Sequence, residues 1–124
     1  MDKIKKILYV EDDSTSLLLI KRILTKHYQF DSAQNDTEAI GKLKENDYDL
    51  VLMDINLGCE LDGVEIMKLA KSFEPESKTI FIALTTQANF TGENNFTEHG
   101  FNGYFEKPLD MDSLVSSIDF LLEK

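Results

Sequence analysis

Asp49-Leu50-Val51-Leu52-Met53-Asp54-Ile55 is the stretch whose reading decides how this chain folds. Leu50 to Met53 run apolar without a break and then meet a single carboxylate. A short unbroken apolar run bounded by turn signals fits a strand buried on both faces, as in the middle of a parallel sheet. Asp54 then stands at the carboxyl end of that strand, the edge of an open α/β sheet where ligands collect. Two other stretches are placed to reach the same edge. One is the acidic run Glu11-Asp12-Asp13 after the first predicted strand; the other is Lys107-Pro108 after the last.

Outward from that strand the chain alternates. Ile7 to Val10 reads as a strand, followed by a helix capped by Ser14 or Thr15 and running to about Lys26, with Leu17, Ile20 and Leu24 on one face. Tyr28 to Ala33 is a weaker strand, and Asp36 or Thr37 caps a helix carrying Ala39, Ile40 and Leu43. A loop from Asn56 to Asp62 leads into a helix that starts near Gly63, turns Val64, Met67 and Ala70 inward, and stops at Glu74-Pro75-Glu76. Thr79 to Leu84 is a second buried strand, with Thr85 and Thr86 at its carboxyl end. A fourth helix is predicted over Asn89 to His99, although Thr91, Gly92, Asn94, Asn95 and Thr97 all have low helix propensity. Asn102 to Phe105 is the last strand. A fifth helix follows Asp110, with Leu114, Val115, Ile118, Leu121 and Leu122 on one stripe. Strand and helix alternating in this way predict a doubly wound parallel sheet with helices on both faces and right-handed crossovers. No linker-like stretch divides residues 1–124, which read as one domain.

Composition narrows the function. Thirteen Lys and Arg against 23 Asp and Glu leave a formal charge of −10. Direct nucleic-acid binding draws most of its affinity from cationic side chains on phosphates, so it is disfavoured. Cations, or a basic partner surface, suit the chain better. Cys59 is the one cysteine, which rules out an intramolecular disulfide, and a Cys/His zinc site is disfavoured by the wide separation of His27 and His99. No apolar run reaches membrane-spanning length and the first residues lack a signal peptide's apolar segment, so the expectation is a soluble cytoplasmic protein.

If the first, third, fourth and fifth strands lie together, their ends gather Glu11, Asp12, Asp54, Thr85 and Lys107. Crowded carboxylates repel one another unless a cation sits among them. Hard oxygen ligands without soft ones favour Mg2+. A hydroxyl and an ammonium beyond Asp54 suit a phosphoryl group, whose oxygens need donors and charge compensation. Asp54 is placed as the nucleophile, since carboxylates form aspartyl-phosphates.

The chain resembles the receiver domains of two-component response regulators, being similar in length to their stand-alone chemotaxis-type members. The resemblance rests on Tyr9-Val10-Glu11-Asp12-Asp13, Leu52-Met53-Asp54-Ile55-Asn56-Leu57, Asp62-Gly63-Val64-Glu65, Ala83-Leu84-Thr85 and Gly103-Tyr104-Phe105-Glu106-Lys107-Pro108-Leu109, in that order. It implies a flavodoxin-like fold with strand order 2-1-3-4-5. It implies that Asp54 accepts a phosphoryl group from a phosphohistidine on a sensor histidine kinase or a histidine phosphotransfer protein. Asp12 and Asp54 then bind Mg2+ directly, Glu11 binds it through water, and the backbone carbonyl of Asn56 completes the protein ligands. Thr85 and Lys107 contact the phosphoryl oxygens, and Tyr104 changes rotamer with Thr85. The Lys107-Pro108 bond is expected to be cis. A downstream protein reads the face built from the fourth helix, fifth strand and fifth helix.

Three departures accompany the resemblance. Gly58 stands where the family commonly has proline, and Gly63 lies nine positions after Asp54, one more than the common spacing. Thr86 replaces a usually smaller residue. A phosphatase of the haloacid-dehalogenase type also uses an aspartyl nucleophile with Mg2+, but it wants a second Asp two residues on, where this chain has Asn56. A pseudo-receiver that docks partners without phosphorylation is opposed by the intact acid set with Thr85 and Lys107.

Overall fold

The computed structural model describes residues 5–55, 63–74, 76–85, 100–106 and 110–122. Its strands are β1 (Lys6–Val10), β2 (Gln29–Ala33), β3 (Leu50–Asp54), β4 (Ile80–Thr85) and β5 (Gly103–Glu106). Its helices are α1 (Ser14–Leu24), α2 (Asp36–Glu45), α3 (Gly63–Phe73) and a last helix, here α4 (Met111–Leu122), which is the fifth of the sequence reading. The helix predicted over 89–99 lies outside the described residues.

All five strands are parallel, in the order β2-β1-β3-β4-β5. Strand alternation sorts the apolar residues into two layers. Leu8, Val10, Val51, Met53, Phe81 and Ala83 face one side, where Ala39 of α2 and Ile66 and Met67 of α3 cover them, together with Phe101. Ile7, Tyr9, Leu50, Leu52, Ile82 and Leu84 face the other, where Ile20 and Leu24 of α1 and Leu114 and Ile118 of α4 cover them. Both faces are therefore sealed, which is why β3 reads as a continuous apolar run. Among the described residues, no helix is long and apolar enough to cross a membrane.

The first two helices start one residue earlier than the sequence predicts, while the third starts at Gly63 and the last after Asp110 as expected. Asp13, not Ser14 or Thr15, caps α1, its Oδ2 accepting from the Ser16 amide at 3.1 Å and the Ser16 hydroxyl at 2.6 Å. Asn35, not Asp36 or Thr37, caps α2, accepting from the Glu38 amide at 2.9 Å, while Glu38 reaches back to the Gln34 amide at 2.7 Å. In both helices the capping side chain serves the amide three residues on, which is Ser16 for Asp13 and Glu38 for Asn35. At the other end of the chain, the Tyr28 hydroxyl donates to Asp119, tying the segment after α1 to α4.

β2 is an edge strand, and polar bonds from the neighbouring elements secure it. Asp31 accepts from Lys42 Nζ at 2.7 Å and from the Tyr48 hydroxyl at 2.8 Å; Lys42 also donates to the Ser32 carbonyl at 2.6 Å. Burial alone would raise the Asp31 carboxyl, but the bonds from Lys42, Tyr48 and the Ser32 amide outweigh it and hold the group below its ordinary value. A depressed folded value stabilises the fold above the unfolded carboxylate value, and that stability is lost as the pH falls through the folded one. Asp31→Asn is therefore expected to cost about 1 kcal/mol at neutral pH, after discounting for solvent screening. Urea titrations of both proteins should show the gap closing in strongly acidic buffer; a gap that persists there counts against the ionic origin.

Candidate functional site

β1 and β3 run side by side with Val10 in register with Met53, so the next residues, Glu11 and Asp54, emerge from the sheet together. Asp54 in turn is in register with Leu84, and Thr85 follows at the end of β4. Backbone bonds fix these corners: the Glu11 amide donates to the Ala33 carbonyl at 2.9 Å and the Ile55 amide to the Leu84 carbonyl at 3.0 Å.

The result is a tight acidic group. Glu11, Asp12 and Asp54 each offer a carboxylate oxygen, and these oxygens lie within 4.8 Å of one another. Glu11 is 2% exposed and Asp54 4%, while Asp12 faces solvent. Thr85 is 2% exposed. Like charges this close favour protonation unless donors or a cation compensate them. The set is all hard oxygen, the chemistry that Mg2+ prefers.

Two residues at the site carry roles that the sequence reading did not give them. The Tyr9 hydroxyl donates to Glu11 Oε1 at 2.8 Å. Burial pushes the Tyr9 phenol far above its ordinary range, and the Glu11, Asp54 and Asp13 carboxylates push the same way, so it remains a protonated donor. The signal was available: residues two apart on a strand share a face, and Tyr9 stands two before Glu11. The second is Gly63. A Cβ placed there would lie 2.4 Å from the Asp54 carbonyl oxygen and 2.9 Å from Met53 Cγ. The Gly63 backbone dihedral is not in the left-handed region, so close approach is what demands glycine here. The Gly63 amide donates to the Ile55 carbonyl at 3.3 Å, seating the start of α3 on the end of β3.

The remaining expected residues divide. Asp13 serves α1 as its cap, and its amide reaches Glu11 Oε2 at 3.4 Å. Tyr104 lies on β5 in register with Ala83 and is 42% exposed. Glu106, the residue before Lys107, is in register with Thr85. Lys107, Pro108 and Asn56 lie outside the described residues, as do Gly58, Cys59, Thr86 and His99.

The family model of the response regulator receiver domain matches residues 7–119, and the chain belongs to that family. It is thereby a receiver domain of the two-component signalling family. Among curated relatives it is 30% identical to hybrid signal transduction histidine kinase B of Dictyostelium discoideum, over 92% of this chain and 6% of that protein. It is 32% identical to the transcriptional regulatory protein ZraR of Klebsiella oxytoca, over 87% of this chain and 24% of that one. The chain thus spans only a small part of these relatives. Among solved structures, the receiver domain of a sensor histidine kinase from Pseudomonas aeruginosa PAO1, with magnesium coordinated in its active site cleft, superposes with a TM-score of 0.87 at 25% identity, over 98% of this chain and all of that one (100%). A two-component response regulator from Clostridium difficile gives a TM-score of 0.87 at 27% identity, over 97% of each chain.

Gly63→Ala forces either α3 or the end of β3 to move. The expected cost is about 1–3 kcal/mol, the range for overpacked positions, and the Asp54 amide resonance should shift. Urea unfolding and amide NMR spectra check both, and a variant as stable as the parent with Asp54 unmoved would remove the close-approach argument.

Proposed function

We propose that this chain works as one phosphorylation-dependent receiver unit whose phosphoacceptor is Asp54. The observation that carries the reading is the set of Glu11, Asp12 and Asp54 oxygens within 4.8 Å of one another at the carboxyl edge of the central strands. Asp12 and Asp54 would hold Mg2+ directly, Glu11 through water, and the Asn56 carbonyl would complete the protein ligands. Once bound, the ion supplies charge compensation for the carboxylates and for the phosphoryl oxygens.

In the transfer step an Asp54 carboxylate oxygen attacks the phosphorus of a phosphohistidine. The new P–O bond forms as the P–N bond breaks, and the imidazole leaves and takes its proton from water. Asp54 has no proton to lose, so it needs no general base. Thr85 and Lys107 donate to the phosphoryl oxygens. The donor is a sensor histidine kinase or a histidine phosphotransfer protein; a small acyl phosphate can replace it, and hydrolysis of the aspartyl-phosphate resets the switch.

Phosphorylation adds about −1.5 to −2 charges and new acceptor oxygens. Thr85 moves toward that group, and Tyr104, now half-exposed on β5, turns into the vacated space. The surface that includes β5 and α4 is thereby shifted between two arrangements that a downstream protein reads. The acidic balance of the chain supports a protein reader and not direct contact with nucleic acid. The setting is cytoplasmic, away from the membrane.

Incubation with Mg2+ and acetyl phosphate is expected to add one acid-stable, base-labile phosphoryl group, detected by intact-protein mass. It should vanish in Asp54→Asn and on chelation of the metal. Steady consumption of acetyl phosphate without a labelled protein would mean a phosphatase, and no reaction at all a pseudo-receiver. Mg2+ alone should also stabilise the unphosphorylated protein, by about 1.4 kcal/mol at ten times Kd. Thermal unfolding of Asp12→Ala should lack that gain; an equal gain in both proteins would place the ion elsewhere.

A further inference from the structure

Glu11 is a carboxylate almost wholly removed from water, beside two others. Such a group needs donors to stay ionised. Its side chain is also long and flexible, and repulsion favours rotamers that turn it away from Asp12 and Asp54. Something must hold it in place before any cation arrives. The Asp13 amide is a long contact at 3.4 Å, whereas the Tyr9 hydroxyl makes a buried bond at 2.8 Å.

Tyr9 is well placed to be that restraint. It has no exposed surface, and its ring meets Phe30 edge-on at 6.5 Å within the layer that contains Ile20, Leu24 and Leu114. The ring is hemmed in, so the hydroxyl has a fixed direction. The bond is made to Oε1, while the Asp13 amide approaches Oε2.

We propose that Tyr9 is a positioning residue for the acidic site: its hydroxyl holds the Glu11 carboxylate toward Asp12 and Asp54, ready for a divalent cation. This rests on the Mg2+ reading above and adds a residue to it. Tyr9 touches neither ion nor phosphoryl group and acts only through Glu11. Hydrogen-bond partners of metal-binding side chains typically change metal affinity by about 10- to 100-fold. Glu11 is assigned a water-mediated contact, so the lower end, about tenfold, is the expected size.

The test is a double-mutant cycle read by Mg2+ binding to the unphosphorylated protein, followed by amide NMR titration. Tyr9→Phe is expected to raise the Mg2+ midpoint about tenfold, yet to have no further effect in a Glu11→Ala background. A loss that acts through general damage to the fold would persist in the Glu11→Ala background. Should Tyr9→Phe fail to fold, a ring-fluorinated tyrosine at position 9 keeps the hydroxyl. Its fluorine signal should follow Mg2+ in the parent and cease to do so in Glu11→Ala. No Mg2+ binding by the parent protein overturns the cation reading and this inference with it. Parent binding that Tyr9→Phe leaves unchanged, an equal loss with and without Glu11, or a fluorine signal indifferent to Mg2+ overturns this inference alone.

Discussion

Like charges resist being gathered, and the fold of this chain is arranged around a place where three are gathered. The ligand oxygens of Glu11, Asp12 and Asp54 lie within 4.8 Å of one another, two of them on side chains almost hidden from water. Side chains alone would relax that crowding by turning outward. The backbone fixes where those side chains start: β1, β3 and β4 are locked in parallel register with their apolar residues sealed on both faces, and the corners after them are tied to Ala33 and Leu84. The sheet's burial therefore does more than stabilise the domain. It supplies the rigidity needed to hold an arrangement that local electrostatics opposes, as functional sites commonly require.

The neighbouring contacts limit the adjustments open to that corner. α3 begins so close to Asp54 that only a residue without a Cβ fits at position 63. The Tyr9 hydroxyl lies against Glu11 from within the opposite layer. One acid is thus restrained through its own backbone and the other through its side-chain oxygen.

Much of this was legible in the sequence, for reasons that differ by residue. Leu50 to Met53 and Phe81 to Leu84 are buried on both faces, so burial writes an unbroken apolar run that needs no knowledge of partners. The acids were equally legible, because a carboxylate directly after such a run is a local signal. β2 was weaker because an edge strand is only partly covered, and its Asp31 is understood only once Lys42 and Tyr48 are brought to it from later in the chain. The caps were misplaced by one residue because Asp13 and Ser14, or Asn35 and Asp36, are all acceptable there, and the choice depends on which side chain meets the third amide. Tyr9 read as part of the first strand, which it is. Its hydroxyl became interpretable only when the faces of β1 were known. Gly63 appeared as part of a motif, and the contact that requires it lies between segments nine residues apart.

The two layers also differ in when they can exist. The layer over Leu8, Val51 and Phe81 is covered by α2 and α3, both from the middle of the chain. The layer that contains Tyr9 is covered by α1 and α4, near opposite ends of it. During synthesis, which proceeds from the amino end, the first layer has its helices early. The second stays open to water until Met111–Leu122 has been made and Asp119 can meet Tyr28. Closure over the inner side of the acidic corner is therefore a late event in the life of each molecule, and a chain cut short before α4 would leave Tyr9 and its apolar neighbours exposed.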